Sequence, residues 1–120
     1  MHKILLAEDD NDMRRFLVKA LEKAGYQVLS YDNGASAYDR LREEPFSLLL
    51  TDIVMPEMDG PTLLREMRGR NPDLKIIFVS GYAEEAFDKS LPENEQFAFL
   101  AKPFALSALI AKVKETMTAP

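Results

Sequence analysis

The sequence predicts an α/β domain, a doubly wound five-stranded parallel sheet with helices on both faces. Three observations carry this. Short apolar runs recur along the chain: Lys3-Ile4-Leu5-Leu6-Ala7, Tyr26-Gln27-Val28-Leu29-Ser30, Leu48-Leu49-Leu50-Thr51, Leu74-Lys75-Ile76-Ile77-Phe78-Val79 and Phe97-Ala98-Phe99-Leu100-Ala101. Between them the apolar spacing switches to a helical period. The third run is apolar at successive positions, as strands are when a parallel sheet is covered on both sides.

The first run ends at Glu8-Asp9-Asp10, with Asp10 as N-cap and Asp12 in the first turn of a helix. Met13, Phe16, Leu17, Ala20, Leu21 and Ala24 share that helix's apolar face, Arg14, Arg15, Lys19, Glu22 and Lys23 oppose it, and Gly25 stops it. After the second run, Asp32-Asn33-Gly34 turns the chain into a helix over 35–43 with Ala37, Tyr38 and Leu41 inward, and Pro45 closes the loop. The third strand ends at Asp52, and Met55-Pro56 breaks it because proline donates no ladder hydrogen bond. Asp59-Gly60-Pro61 caps a third helix through Leu63, Leu64 and Met67 to about residue 68, where Gly69 and Asn71-Pro72 end it. Ser80-Gly81-Tyr82 follows the fourth strand, a short helix is expected over 83–89, and the alternating fifth run suits a sheet edge. Lys102-Pro103 then leads into a last helix with Leu106, Leu109, Ile110, Val113 and Met117 on one face.

A length of 120 residues, 47% of them hydrophobic, supports one core, so a single domain over 1–120 with no output domain is expected. The chain has no cysteine, which removes disulfides and thiolate metal sites and fits a reducing, cytoplasmic setting. No apolar run nears the ~20 residues of a membrane span, and no signal-peptide pattern opens the chain. A net charge of -5 and a pI of about 4.9 argue against binding nucleic acid. The single histidine, His2, lies at the frayed end and is given no catalytic part.

In a parallel sheet all strand carboxyl ends share one edge, where open α/β sheets bind ligands. That rule brings Glu8, Asp9, Asp52, Ser80 and Lys102 to one rim. Each has a plainer reading alone: a dipole partner, a turn, a solvated lysine. Their coincidence is what argues for function. Like charges at ~4 Å repel by roughly 4 kcal/mol at an effective dielectric of 20. A hard cation relieves this, and an all-oxygen donor set suits Mg²⁺ better than Zn²⁺. Asp52 is then the candidate nucleophile toward phosphorus, with Lys102 offsetting charge and the Ser80 hydroxyl donating a hydrogen bond.

With Glu8-Asp9, Thr51-Asp52-Ile53-Val54-Met55-Pro56, Met58-Asp59-Gly60, Ser80-Gly81 and Lys102-Pro103-Phe104 in place, the chain resembles a two-component response-regulator receiver domain over essentially its whole length. The resemblance implies a flavodoxin-like strand order 2-1-3-4-5 and Asp52 as the phosphorylated aspartate. It implies Mg²⁺ on Asp9, Asp52 and the Val54 backbone carbonyl, with Glu8 acting mainly through bound water. Ser80 and Lys102 match the switch hydroxyl and its cationic partner, and Lys102-Pro103 matches a cis peptide. Phe99 matches the switch aromatic, which is often tyrosine; a phenylalanine rotates without hydrogen bonding, and Tyr82 is the candidate substitute. The Ala7-to-Asp10 and Leu50-to-Gly60 stretches look most like the CpdR-type stand-alone regulators of bacterial cell-cycle phosphorelays. The partners implied are a histidine kinase or histidine phosphotransfer protein as donor and a downstream protein target, a protease system in those relatives.

Two readings of the function stand beside each other: a switch read by a protein target, and a phosphorelay intermediate or phosphate sink without one. An aspartyl phosphohydrolase is disfavoured, because the position two past Asp52, where many such enzymes hold a second acid, is Val54. A flavin module is disfavoured because no Ser/Thr/Gly-rich loop follows the first strand.

Overall fold

A computed structural model describes residues 2–81 and 97–118. The short helix expected over 83–89, and Tyr82, lie outside the described residues. The five strands are β1 (Lys3–Ala7), β2 (Gln27–Tyr31), β3 (Leu48–Asp52), β4 (Lys75–Ser80) and β5 (Ala98–Ala101), all parallel in the order β2-β1-β3-β4-β5. Four helices occur among the described residues: α1 (Asn11–Lys23), α2 (Gly34–Glu43), α3 (Gly60–Arg70) and α4 (Leu106–Thr118).

Alternation along the strands sorts the core into two layers. Ile4, Leu6, Leu48, Leu50, Ile77 and Val79 meet Leu17 and Leu21 of α1 and Leu109 and Val113 of α4. Leu5, Leu49, Ile76 and Phe78 meet Ala37 and Leu41 of α2 and Leu63, Leu64 and Met67 of α3. Every residue of β3 is buried, as a central strand covered on both faces must be.

Side-chain caps set where the helices begin. The side chains of Asp10, Asn33 and Asp59 accept from the N–H groups of Met13, Ser36 and Thr62 at 2.9, 2.8 and 2.9 Å. Gly25 takes φ +103 past the end of α1, the left-handed conformation that glycine enters freely.

Three expectations need correction. Phe16 is 53% exposed and Leu106 40%, so neither belongs to the buried stripe of its helix. Phe16 sits about 100° around the helix from Leu17, at the margin of the face centred there. Helix α3 also runs through Gly69 to Arg70, and the Asn71 N–H still bonds Met67 O at 2.7 Å. An internal glycine lowers helix propensity by only about 1 kcal/mol, so the stop falls to Pro72.

Candidate functional site

Parallel topology delivers the polar ends of three strands to one place. The buried polar or charged residues among those described are Glu8, Thr51, Asp52 and Ser80, and all lie at or just past the carboxyl ends of β1, β3 and β4. Glu8 is 2% exposed, its N–H bonding Tyr31 O at 3.0 Å and so continuing the β1–β2 ladder. Its Oε2 accepts from the Asp10 N–H at 3.1 Å. Asp52 closes β3 at 8% exposure, and the Thr51 hydroxyl donates to its backbone carbonyl at 3.0 Å. Ser80 ends β4 opposite Ala101 of β5, and its carbonyl accepts the Lys102 N–H at 2.8 Å. That bond fixes the start of the lysine side chain, and the Lys102-Pro103 peptide that follows is cis.

Lys102 Nζ lies 3.0 Å from Asp52 Oδ1 and 3.1 Å from Glu8 Oε1, bridging residues far apart in sequence. Asp9 is exposed beside them, and Glu8, Asp9 and Asp52 each place a carboxylate oxygen within 4.8 Å of the others. One cation among three acids leaves excess negative charge. Burial and the hydrogen-bonded, charged Glu8 push the Asp52 carboxyl up to about 8, against the pull of Lys102. Burial alone would raise Glu8 too, but hydrogen bonds from Asp52, the Asp10 N–H and Lys102 hold it below its usual value. Lys102 is raised despite burial, because Asp52 and Glu8 favour its charged form. Of the two carboxyls, Asp52 is the one whose surroundings favour holding a proton. A hard divalent cation is the natural replacement for that proton, and this oxygen donor set fits Mg²⁺.

The remaining sequence candidates fall in different places. Val54 is 58% exposed at the mouth, just past Asp52. Phe99 is half-buried in β5 opposite Phe78 and packs against the core layer under α2 and α3, below the rim. Arg14, expected outward, turns in: its guanidinium donates to Glu8 O at 3.0 Å and to Asn11 Oδ1 at 2.7 Å. Helical spacing places Arg14 on the polar side but cannot show a carbonyl within its reach. The sequence placed Thr51 in the motif around Asp52 but gave its hydroxyl no role; the structure has it donating to the Asp52 carbonyl.

Comparison with known proteins agrees with this geometry. Residues 4–114 match the response regulator receiver domain family. The chain is 59% identical over 119 residues to the response regulator receiver protein CpdR of Brucella abortus, covering 99% of each. It is 47% identical over 116 residues to sensor kinase CckA of the same organism, spanning 12% of that longer protein. A crystal structure of a response regulator receiver protein from Sinorhizobium medicae superposes with a TM-score of 0.88 at 28% identity, over 98% of this chain and 95% of that one. Rim acids, bridging lysine, strand order and family match converge: the chain belongs to the response regulator receiver domains of two-component systems.

Proposed function

We propose that Asp52 accepts a phosphoryl group from a phosphohistidine donor in a Mg²⁺-dependent step, and that the modified chain signals by binding another protein. The observation that carries this is the bridge from Lys102 Nζ to both Asp52 and Glu8, beside the exposed Asp9. Glu8, Asp9 and Asp52, with the Val54 carbonyl, are the groups that would hold the ion. When bound, Mg²⁺ neutralises the acids and the charge spread over the transferred group.

The chain's own residues do the rest. Asp52 gives up its proton, and a carboxylate oxygen forms a bond to phosphorus as the P–N bond breaks. The donor imidazole leaves with the bonding pair and takes up a proton. Lys102, already paired with Asp52, follows the charge onto the phosphoryl oxygens, and the Ser80 hydroxyl donates to one of them. The single charge of the Asp52 carboxylate becomes the nearly two of an acyl phosphate with three outer oxygens, and the loops after β4 and β5 are drawn toward it. Phe99, one strand position before Leu100 and half-buried, repacks in response; its share of the signal depends on how differently the two states contact the phosphoryl group.

The donor is a histidine kinase or a histidine phosphotransfer protein, a reading supported by likeness to a receiver within CckA. Phe16 and Arg15 are exposed on α1, which starts at the rim, and form the surface offered to that donor. The likeness to CpdR over 99% of both chains supports the receiver reading; the output proposed is a protein contact in the cytoplasm, with a protease system as the candidate target. No described helix is long and apolar enough to cross a membrane.

Incubation with Mg²⁺ and acetyl phosphate, followed by intact mass, tests the site. Wild type should gain one phosphoryl group and Asp52→Asn none; equal labelling of both would overturn the assignment. Partner affinity with and without beryllium fluoride then separates a switch from a phosphate sink, since a sink shows no difference.

A further inference from the structure

The loop joining β3 to α3, residues 53–59, runs from Asp52 along the mouth of the site, and a glycine holds it at each of two points. Gly60 is the nearer. Its N–H donates to Ile53 O at 2.8 Å, and a Cβ there would stand 2.7 Å from both Asp52 O and the Phe78 ring. Gly34 comes from another part of the chain, as the buried first residue of α2. Its N–H donates to Pro56 O at 3.0 Å, the same carbonyl that accepts the Met58 N–H at 2.8 Å. A Cβ on Gly34 would overlap the Met58 carbonyl and lie 2.8 Å from Met58 Cβ. Gly34 does not have a left-handed φ, so the position demands space rather than an unusual conformation. Between the two bonded residues, Glu57 holds φ +69. A non-glycine residue stays there only when its surroundings enforce it.

We propose that Gly34 is a positioning residue for the phosphoacceptor site: the α2 N-terminus, pressed against Pro56 and Met58, sets where the 53–59 loop lies and so how tightly the acid cluster holds a divalent cation. This rests on reading Asp52 as a Mg²⁺-dependent phosphoacceptor. The loop is the side that yields. Helix α2 is anchored by Ala37, fully buried, and by Leu41, whereas the loop buries Ile53 and Met55 but leaves Val54, Pro56, Glu57 and Asp59, the residues around the contact, exposed. An added methyl therefore displaces the loop and, with it, the Val54 segment next to Asp52. Loss of such supporting contacts commonly weakens metal affinity by about 10–100-fold.

The test compares Gly34→Ala with Leu41→Ala, a cavity-forming change in the same helix, at a temperature below both melting transitions. The readouts are Mg²⁺ affinity by calorimetry and the amide chemical shifts of residues 53–58 without metal. Gly34→Ala should weaken Mg²⁺ binding about tenfold and move those amides, while Leu41→Ala leaves the affinity within about twofold of wild type. Wild-type affinity and shifts in Gly34→Ala overturn the proposal, as does an equal loss in Leu41→Ala, which would make the effect one of general stability. Wild type itself guards against a variant that does not fold. By linkage, Mg²⁺ must slow hydrogen exchange at the Gly34 amide, and unchanged exchange sinks the proposal. A wild-type chain that takes up no phosphoryl group is a separate failure, one of the site reading beneath it.

Discussion

The two ends of the sheet treat charge in opposite ways. At the amino end, Lys3 pairs with Glu44 at 3.1 Å, with 24% and 31% of their side chains exposed, and Lys3 also lies 5.0 Å from the Phe46 ring centre. Both charges of that pair keep contact with water. An open groove of about 420 Å³ lies at this end too, lined in part by Lys75, Phe97 and Glu115. At the carboxyl end, two nearly buried acids share one lysine, and an exposed third acid lies beside them. Balanced, hydrated charge is ordinary structural pairing. Crowded acids taken out of water are characteristic of functional sites. Electrostatics is what sets the carboxyl end apart as the candidate site.

Removing the shared cation should give the largest effect. Lys102→Met leaves Glu8 and Asp52 without their bridge and the transferred phosphoryl group without its counter-charge. Phosphoryl uptake from acetyl phosphate should fall roughly 10²–10³-fold in timed intact-mass measurements. A rate near wild type would mean the lysine only braces the fold, as Lys3 does at the other end.

Next comes the pH dependence of metal-free stability. Asp52 ordinarily titrates near 3.8 and is raised to about 8 in the fold. Between those values the native state holds a proton that the unfolded chain has released, so stability falls as pH rises through that window. Glu8, held below its usual value, acts in the opposite sense and contributes stability that is lost only as pH drops through its lowered range. Thermal melts without metal should therefore show a stability that declines from pH 4 to 8. Asp52→Asn should flatten that decline and raise the melting temperature at pH 8, by several degrees for a gain of about 1 kcal/mol. Parallel pH curves for the two proteins would remove the shared proton from the account. Mg²⁺ should raise the wild-type curve most at the alkaline end.

A smaller effect is expected at Val54. An apolar side chain two residues beyond Asp52, and 58% exposed, cannot orient an attacking water. Val54→Asn should shorten the phosphoryl lifetime severalfold in the Mg²⁺-bound protein, and an unchanged lifetime would exclude that role. Smallest of all is Glu44→Ala at the amino end. A half-hydrated pair of this kind contributes about 0.5–1 kcal/mol, and the variant should label at the wild-type rate. A labelling defect there would erase the contrast between the two ends.

Much of the rim's make-up was legible in the sequence. Glu8, Asp52 and Ser80 stand at or just past strand carboxyl ends because apolar runs locate the strands, and parallel topology makes those ends neighbours. The Asp10, Asn33 and Asp59 caps were equally readable, since capping is a matter of three or four adjacent residues. Periodicity was a weaker guide at the margins: Phe16 and Leu106 fit their helical stripes by spacing yet are exposed, because a stripe's edge depends on how far the neighbouring element reaches.

By itself, then, the sequence determined which of the described elements form, the unbroken apolar run that buries both faces of β3, and the set of acids and the lysine available at the rim. The fold alone decided that Arg14 turns toward the Glu8 carbonyl, that Lys102 bridges Glu8 and Asp52 rather than reaching solvent, and that Gly34 meets Met58. The physical reason is range. Propensity, capping and hydrophobic period act within a few residues, whereas these contacts depend on strand register and helix placement, which no local pattern encodes.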